Sequence, residues 1–146
     1  MVVPMKTALL VGAGIGGPVL AMFLKRLGMD VTLVESRESV AQSEGAFLGV
    51  APNGMNVLDD LGLAESLRGG HACKRFEFRN AADKYIGQID RSQDRAQFKW
   101  PLTMVRRGEL HAYLAKAAQE RGVKIHHGKR MTTCHALPSG EGRGQT

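Results

Sequence analysis

The sequence lacks the features that would tie it to a membrane, a disulfide scaffold or a metal centre. A bilayer-crossing helix needs roughly 20 consecutive apolar residues, and runs such as 8–11 and 19–24 fall far short of that. The start of the chain carries one lysine, Lys6, and then enters a glycine cluster instead of a small-residue cleavage site. No secretory signal is therefore read, and the cytoplasm is the expected compartment. The two cysteines, Cys73 and Cys134, have no companions at metal-ligand spacing, which fits a reduced protein and not a disulfide framework. His71 beside Cys73 does not amount to a metal site, since two residues cannot complete a coordination shell. Aromatic residues are scarce at 5%, and the single tryptophan, Trp100, precedes Pro101 and is expected to pack in the core. None of them interleaves with His126, His127, Lys129 and Arg130. That basic run therefore reads as a solvated strand end and not as a nucleic-acid platform.

What is present is ordinary globular material with two biases. The 146 residues are 43% hydrophobic and 23% charged, which suits one domain with one core and excludes a disordered or fibrous chain. Glycine is in excess, at 18 residues, and charge is uneven. Residues 1–65 hold 4 basic and 7 acidic side chains, whereas residues 66–146 hold 16 basic and 7 acidic. A basic half of this kind fits an anionic cofactor, and it equally fits an absent acidic partner segment.

The hydrophobic pattern predicts a strand over 5–11, a helix over 15–27 stopped by Gly28, and a second strand over 31–34 that ends at Glu35. Such a strand–helix–strand unit gives two parallel strands. Residues 36–44 are polar and read as a surface loop. A short strand is expected at 47–50, and a helix from Pro52 through Leu61 with Met55, Leu58 and Leu61 on one face. A helical turn over 63–68 follows, closed by Gly69 and Gly70. Residues 75–79 alternate with period two and should pair with 85–89 through a turn at 81–84. Residues 91–99 show no period. A second amphipathic helix over 108–121 turns Leu110, Leu114 and Ala117 inward, ahead of a short strand at 123–125. The last stretch, 137–146, has the composition of a loop.

Between the first strand and the first helix stand Gly12, Gly14 and Gly17, spaced G-x-G-x-x-G. Each glycine has its own task in a dinucleotide-binding turn. The first lets the strand turn sharply into the helix, the second leaves bare backbone for a pyrophosphate, and the third lets helix and sheet approach. Free N–H groups and the positive end of the helix dipole then face the phosphates. Ala21 is small where the helix meets the strand, and Glu35 stands 23 residues beyond Gly12, where a carboxylate can accept from ribose hydroxyls. An acid there favours an unphosphorylated ribose, hence FAD or NAD over NADP. The turn alone does not choose between FAD and NAD, so a NAD-binding dehydrogenase or reductase domain is the rival reading. A non-catalytic remnant is a second.

Beyond the turn, Gly45-Ala46-Phe47-Leu48-Gly49-Val50-Ala51-Pro52-Asn53-Gly54-Met55-Asn56-Val57-Leu58 and Val105-Arg106-Arg107-Gly108-Glu109-Leu110-His111 complete a pattern. It resembles the FAD-binding region of the single-component flavin-dependent aromatic hydroxylases. That family includes salicylate hydroxylase-like, zeaxanthin epoxidase-like and tetracycline-inactivating monooxygenases. The resemblance runs to about Met131 and implies a Rossmann-like α/β FAD-binding domain with a parallel sheet core. It implies the FAD pyrophosphate at Gly12, Gly14 and Gly17, the adenosine ribose on Glu35, and Arg37 near the adenosine end. Arg107 matches the arginine of the family's Arg-x-x-Leu motif and is implied to contact FAD. For the intact family it further implies reduction by NADH or NADPH and oxygen transfer from dioxygen to a small aromatic substrate. The family's later Gly-Asp and Ala-Asp-Gly motifs do not occur here. The sequence therefore reads as an N-terminal portion, a fragment in which no catalytic acid, base or nucleophile is named.

Overall fold

The computed structural model describes residues 6–39, 46–67, 70–136 and 142–145. In chain order the first elements are β1 (Thr7–Val11), α1 (Gly16–Arg26), β2 (Asp30–Val34), β3 (Phe47–Val50) and α2 (Pro52–Asp60). A 3-10 turn (Glu65–Leu67) leads to β4 (His71–Ala72), β5 (Arg75–Arg79), β6 (Tyr85–Asp90), α3 (Asp94–Phe98) and β7 (Thr103–Arg106). The chain continues through α4 (Arg107–Glu120), β8 (Lys124–His126), β9 (Thr133–Ala136) and β10 (Gly142–Gln145). These elements group into two compact units, residues 1–44 with 108–146, and residues 45–107.

The first unit carries a parallel sheet in the order β1-β2-β8. Val11 lies opposite Val34, and Val34 opposite His126. The central strand, β2, is the most deeply covered, with Val31 and Leu33 fully buried. Helix α1 turns Pro18, Ala21 and Met22 inward, whereas Leu20 and Leu27 are exposed. Ala21 thus sits at the helix–strand contact as expected, and these two large side chains lie off the buried face. The helix lies close to the sheet at Gly17, and this favours small residues such as Ala21 on the contacting face. On α4, Leu110, Leu114 and Ala117 are buried as expected, and His111 and Ala118 join them. Burying a leucine- or methionine-sized side chain contributes about 1.5–3 kcal/mol, so Met22, Leu33, Leu110 and Leu114, all nearly solvent-free, dominate this core.

The second unit carries an antiparallel sheet, β3-β7-β4, and a separate β5–β6 hairpin. Helix α2 starts with Pro52 after the extended Ala51; proline suits the first helical position because its missing N–H has no partner there anyway. Met55, Leu58, Leu61 and Trp100 are buried together with Leu102 and Val105 in this unit. Strand β7 and helix α3 have no counterpart in the periodicity. Helix α3 follows from a buried carboxylate: Asp94 Oδ2 accepts from Arg91 Nε at 2.9 Å and from Leu102 N–H at 3.2 Å.

Near the chain's end, β10 pairs antiparallel with β9, so residues 142–145 form a strand where loop composition predicted none. A strand pair is held by backbone hydrogen bonds, which glycines supply without any side-chain pattern. Residues 40–44 of the expected loop, Gly45, Arg68 and the closing Gly69, and residues 137–141 lie outside the described residues. Among the described residues, no helix is long and apolar enough to cross a membrane, and no cluster of three or more His, Cys, Asp or Glu side chains could hold a metal.

Candidate functional site

The three fingerprint glycines and Glu35 meet at the carboxyl end of β1 and β2, all within the first unit. Gly12 has a φ of +95°, a left-handed conformation that costs a glycine nothing and a residue with a Cβ a great deal. Its N–H donates to Val34 O at 2.8 Å, so the turn begins while still attached to β2. At Gly17 a Cβ would lie 2.0 Å from Gly12 O and 3.3 Å from Leu33 Cδ1. The first turn of α1 therefore closes on the strand only because that side chain is missing.

Gly14 differs from both. A Cβ there would meet nothing within 4 Å, and its φ lies outside the left-handed range. Neither backbone strain nor packing within the chain requires glycine at this position. Bare backbone and open space at Gly14 leave room for a ligand to approach there. Helix α1 has no side-chain cap at its start and no acidic residue in its first turn, whereas Lys25 and Arg26 occupy its last. Its N-terminal N–H groups thus face the site with no competing carboxylate from the helix itself, an arrangement that suits an anion. The residues present fit a dinucleotide pyrophosphate.

Glu35 is built into the turn more firmly than its place at a strand end suggests. Its Oε2 accepts from Ala13 N–H at 2.9 Å, and its Oε1 accepts from Arg37 N–H at 2.9 Å and from Ser36 Oγ at 3.2 Å. The Arg37 backbone bond is the largest influence on its ionisation; with the Ala13 and Ser36 bonds and the Arg37 charge it outweighs partial burial and holds the carboxyl below its ordinary value. A carboxylate offers about four lone-pair sites, so acceptor capacity remains for a further donor.

Arg37 itself is exposed. Its carbonyl takes Gly128 N–H at 3.0 Å, while Glu35 O takes Lys129 N–H at 2.8 Å. The loop after β8 is thereby fastened along residues 35–37, and His126, His127, Lys129 and Arg130 are exposed around it. Arg107 opens α4, is exposed, and donates its N–H to Ala46 O at 3.3 Å within the second unit. The structure therefore brings Gly12, Gly14, Gly17, Glu35 and Arg37 together in one unit and leaves Arg107 in the other.

One residue of the site escaped the sequence reading. His111 is buried, and its Nε2 meets Ala13 O in the middle of the glycine turn. A carbonyl oxygen only accepts, so Nε2 carries the proton. The signal was present, since His111 falls in the buried stripe with Leu114 and Ala118, where an imidazole must find a partner. The partner, 98 residues away in sequence, could not be read from periodicity.

Comparison with known proteins gives the family and the fold. Residues 5–141 match the family described as FAD binding domain. The chain is 34% identical over 120 residues to the FAD-dependent monooxygenase pytG of Aspergillus terreus, covering 82% of this chain and 36% of that protein. It is 29% identical over 134 residues to the FAD-dependent monooxygenase dpmaE of Metarhizium anisopliae, covering 86% and 26%. Among solved structures, p-nitrophenol 4-monooxygenase PnpA from Pseudomonas putida superposes with a TM-score of 0.74 at 21% identity, over 96% of this chain and 39% of that one; this likeness concerns the fold. The chain thus spans between about a quarter and two-fifths of the length of the proteins it matches.

Proposed function

The chain belongs to the FAD-binding-domain family, and from that premise we propose that residues 1–146 are the N-terminal portion of the FAD-binding domain of a flavoprotein monooxygenase. In this reading the enzyme draws electrons from NADH or NADPH and hydroxylates or epoxidises a small aromatic substrate. The relatives named as FAD-dependent monooxygenases support the reaction class. The observation that carries the reading for this chain is Gly14, a glycine that nothing within its own fold requires.

Each site residue then has a task. Gly12 turns the backbone, Gly14 leaves room for the pyrophosphate, and Gly17 brings the uncapped start of α1 up to it. Glu35 accepts from the adenosine ribose while bracing Ala13. Arg37 lies at the adenosine end. The exposed guanidinium of Arg107, at the start of α4, makes charge-assisted and potentially bidentate bonds to the anionic cofactor. Bound FAD supplies the redox chemistry, accepting electrons from the nicotinamide donor and activating dioxygen. The part of these residues is to bind and orient, and no proton transfer is assigned to them.

Competition separates this reading from a nicotinamide-binding domain. FAD should bind to the purified protein and survive a large excess of NADH. Tight NADH binding that displaces FAD would overturn the proposal.

A further inference from the structure

We propose that His111 is a positioning residue that aims the Gly14 N–H at the cofactor phosphates. The inference rests on the FAD-binding reading above and goes beyond it. A trans peptide is planar, with its carbonyl oxygen and amide hydrogen on opposite sides. The carbonyl that His111 holds, Ala13 O, belongs to the same peptide as the Gly14 N–H. Gripping the oxygen from the α4 side therefore fixes the direction of that N–H.

The neighbouring groups are fixed as well. Gly12 N–H is bound to Val34 O and Ala13 N–H to Glu35 Oε2. Gly12 O is packed against Gly17, so closely that a Cβ on Gly17 would overlap it. Ala13 is fully buried, and its peptide groups are held on one side by Glu35, the residue after β2, and on the other by an imidazole from α4. By contrast, the Gly14 N–H makes no backbone hydrogen bond among the described residues, and the space beside Gly14 is open. Three polar groups of the turn are hydrogen-bonded inside the fold and Gly12 O is packed against Gly17, whereas the next N–H, that of Gly14, is left without a backbone partner. Glycine on the C-terminal side of this peptide would otherwise let it rotate, because Gly14 restricts its φ only weakly. The imidazole replaces that missing restriction at a cost in conformational freedom met by the protein, before the ligand arrives.

The test uses three variants, with FAD titration, thermal melting and the amide NMR shift of Gly14 as readouts. His111→Leu removes the donor. His111→Gln places an amide N–H where Nε2 stood, and His111→Asn carries the same group one carbon short. One lost hydrogen bond corresponds to about a tenfold change, so FAD affinity should fall about tenfold in the leucine and asparagine variants and recover in the glutamine variant. The ligand-free Gly14 amide shift should move and recover in the same order. A merely structural role would instead make affinity follow melting temperature, with no advantage for glutamine. Equal behaviour of glutamine and asparagine overturns the proposal even where the leucine variant does not fold. Should the unaltered protein take up no FAD, the cofactor reading fails by itself, and an unchanged Gly14 shift across the variants would separately refute the aiming role.

Discussion

Single residues divide the glycine turn into separable physical tasks, and substitution should expose them. Gly17→Ala places a Cβ 2.0 Å from Gly12 O, an overlap with backbone that only a shift of the turn or of α1 relieves. The expected result is a large loss of melting temperature or failure to fold. Gly14→Ala meets no atom of the chain and no left-handed backbone, and such replacements stabilise by about 0.4–1 kcal/mol through the unfolded state. Its melting temperature should hold or rise while FAD affinity drops at least tenfold. Equal loss of stability in both variants would contradict the division of roles. Glu35 carries a pH signature. Its folded-state ionisation lies below the ordinary 4.5, so its contribution is complete above that value and is lost as pH falls through the lower folded value. Melting curves of the protein and of Glu35→Gln should therefore differ at neutral pH and converge in the acid range below about pH 4.5. A gap that persists unchanged under acid would show that the carboxylate bonds to Ala13 and Arg37 do not matter to the turn.

Elements differ in how far their own residues specify them. Helix α4 and strand β2 were legible because Leu110, Leu114 and Ala117 recur at helical spacing and Val31 to Val34 form a compact apolar run. For α1 the element and its contact at Ala21 were legible, whereas apolar recurrence did not show that Leu20 and Leu27 stay exposed while Met22 is buried. Helix α3 and strand β10 were missed for a common reason: both are held by polar bonds that leave no hydrophobic period, Asp94 to Leu102 N–H in one and a backbone ladder in the other. The β5–β6 hairpin was legible from alternation, and it is also largely exposed. Phe76 and Ile89 lie opposite each other with large exposed surfaces, and Arg75, Glu77 and Arg79 form ion pairs along one strand. A two-stranded ribbon with so little covering is marginal in water. Its amides should exchange at least about a hundredfold faster than those of β2, since local opening needs less free energy where few apolar contacts are broken. Equal protection of both would mean that the hairpin's apolar face is covered in solution.

At the scale of the whole molecule, what was legible followed the range of the interaction. The glycine turn, Glu35 and the strands around them depend on residues close in sequence, and spacing revealed them. The grip of His111 on Ala13 joins residues 98 apart and needed the fold. Within the first unit, His126, His127, Lys129 and Arg130 stand exposed on the loop fastened to residues 35–37. Because the chain covers only 26% to 39% of the proteins it matches, cofactor retention is a more direct readout than turnover. The decisive experiment is a visible absorption spectrum of the freshly purified protein, repeated after heat release and again after adding FAD. A bound-flavin spectrum that disappears on release and returns with one FAD per chain is the predicted result. A colourless protein that takes up no FAD at any concentration would contradict the assignment of Gly12, Gly14, Gly17 and Glu35 to the cofactor.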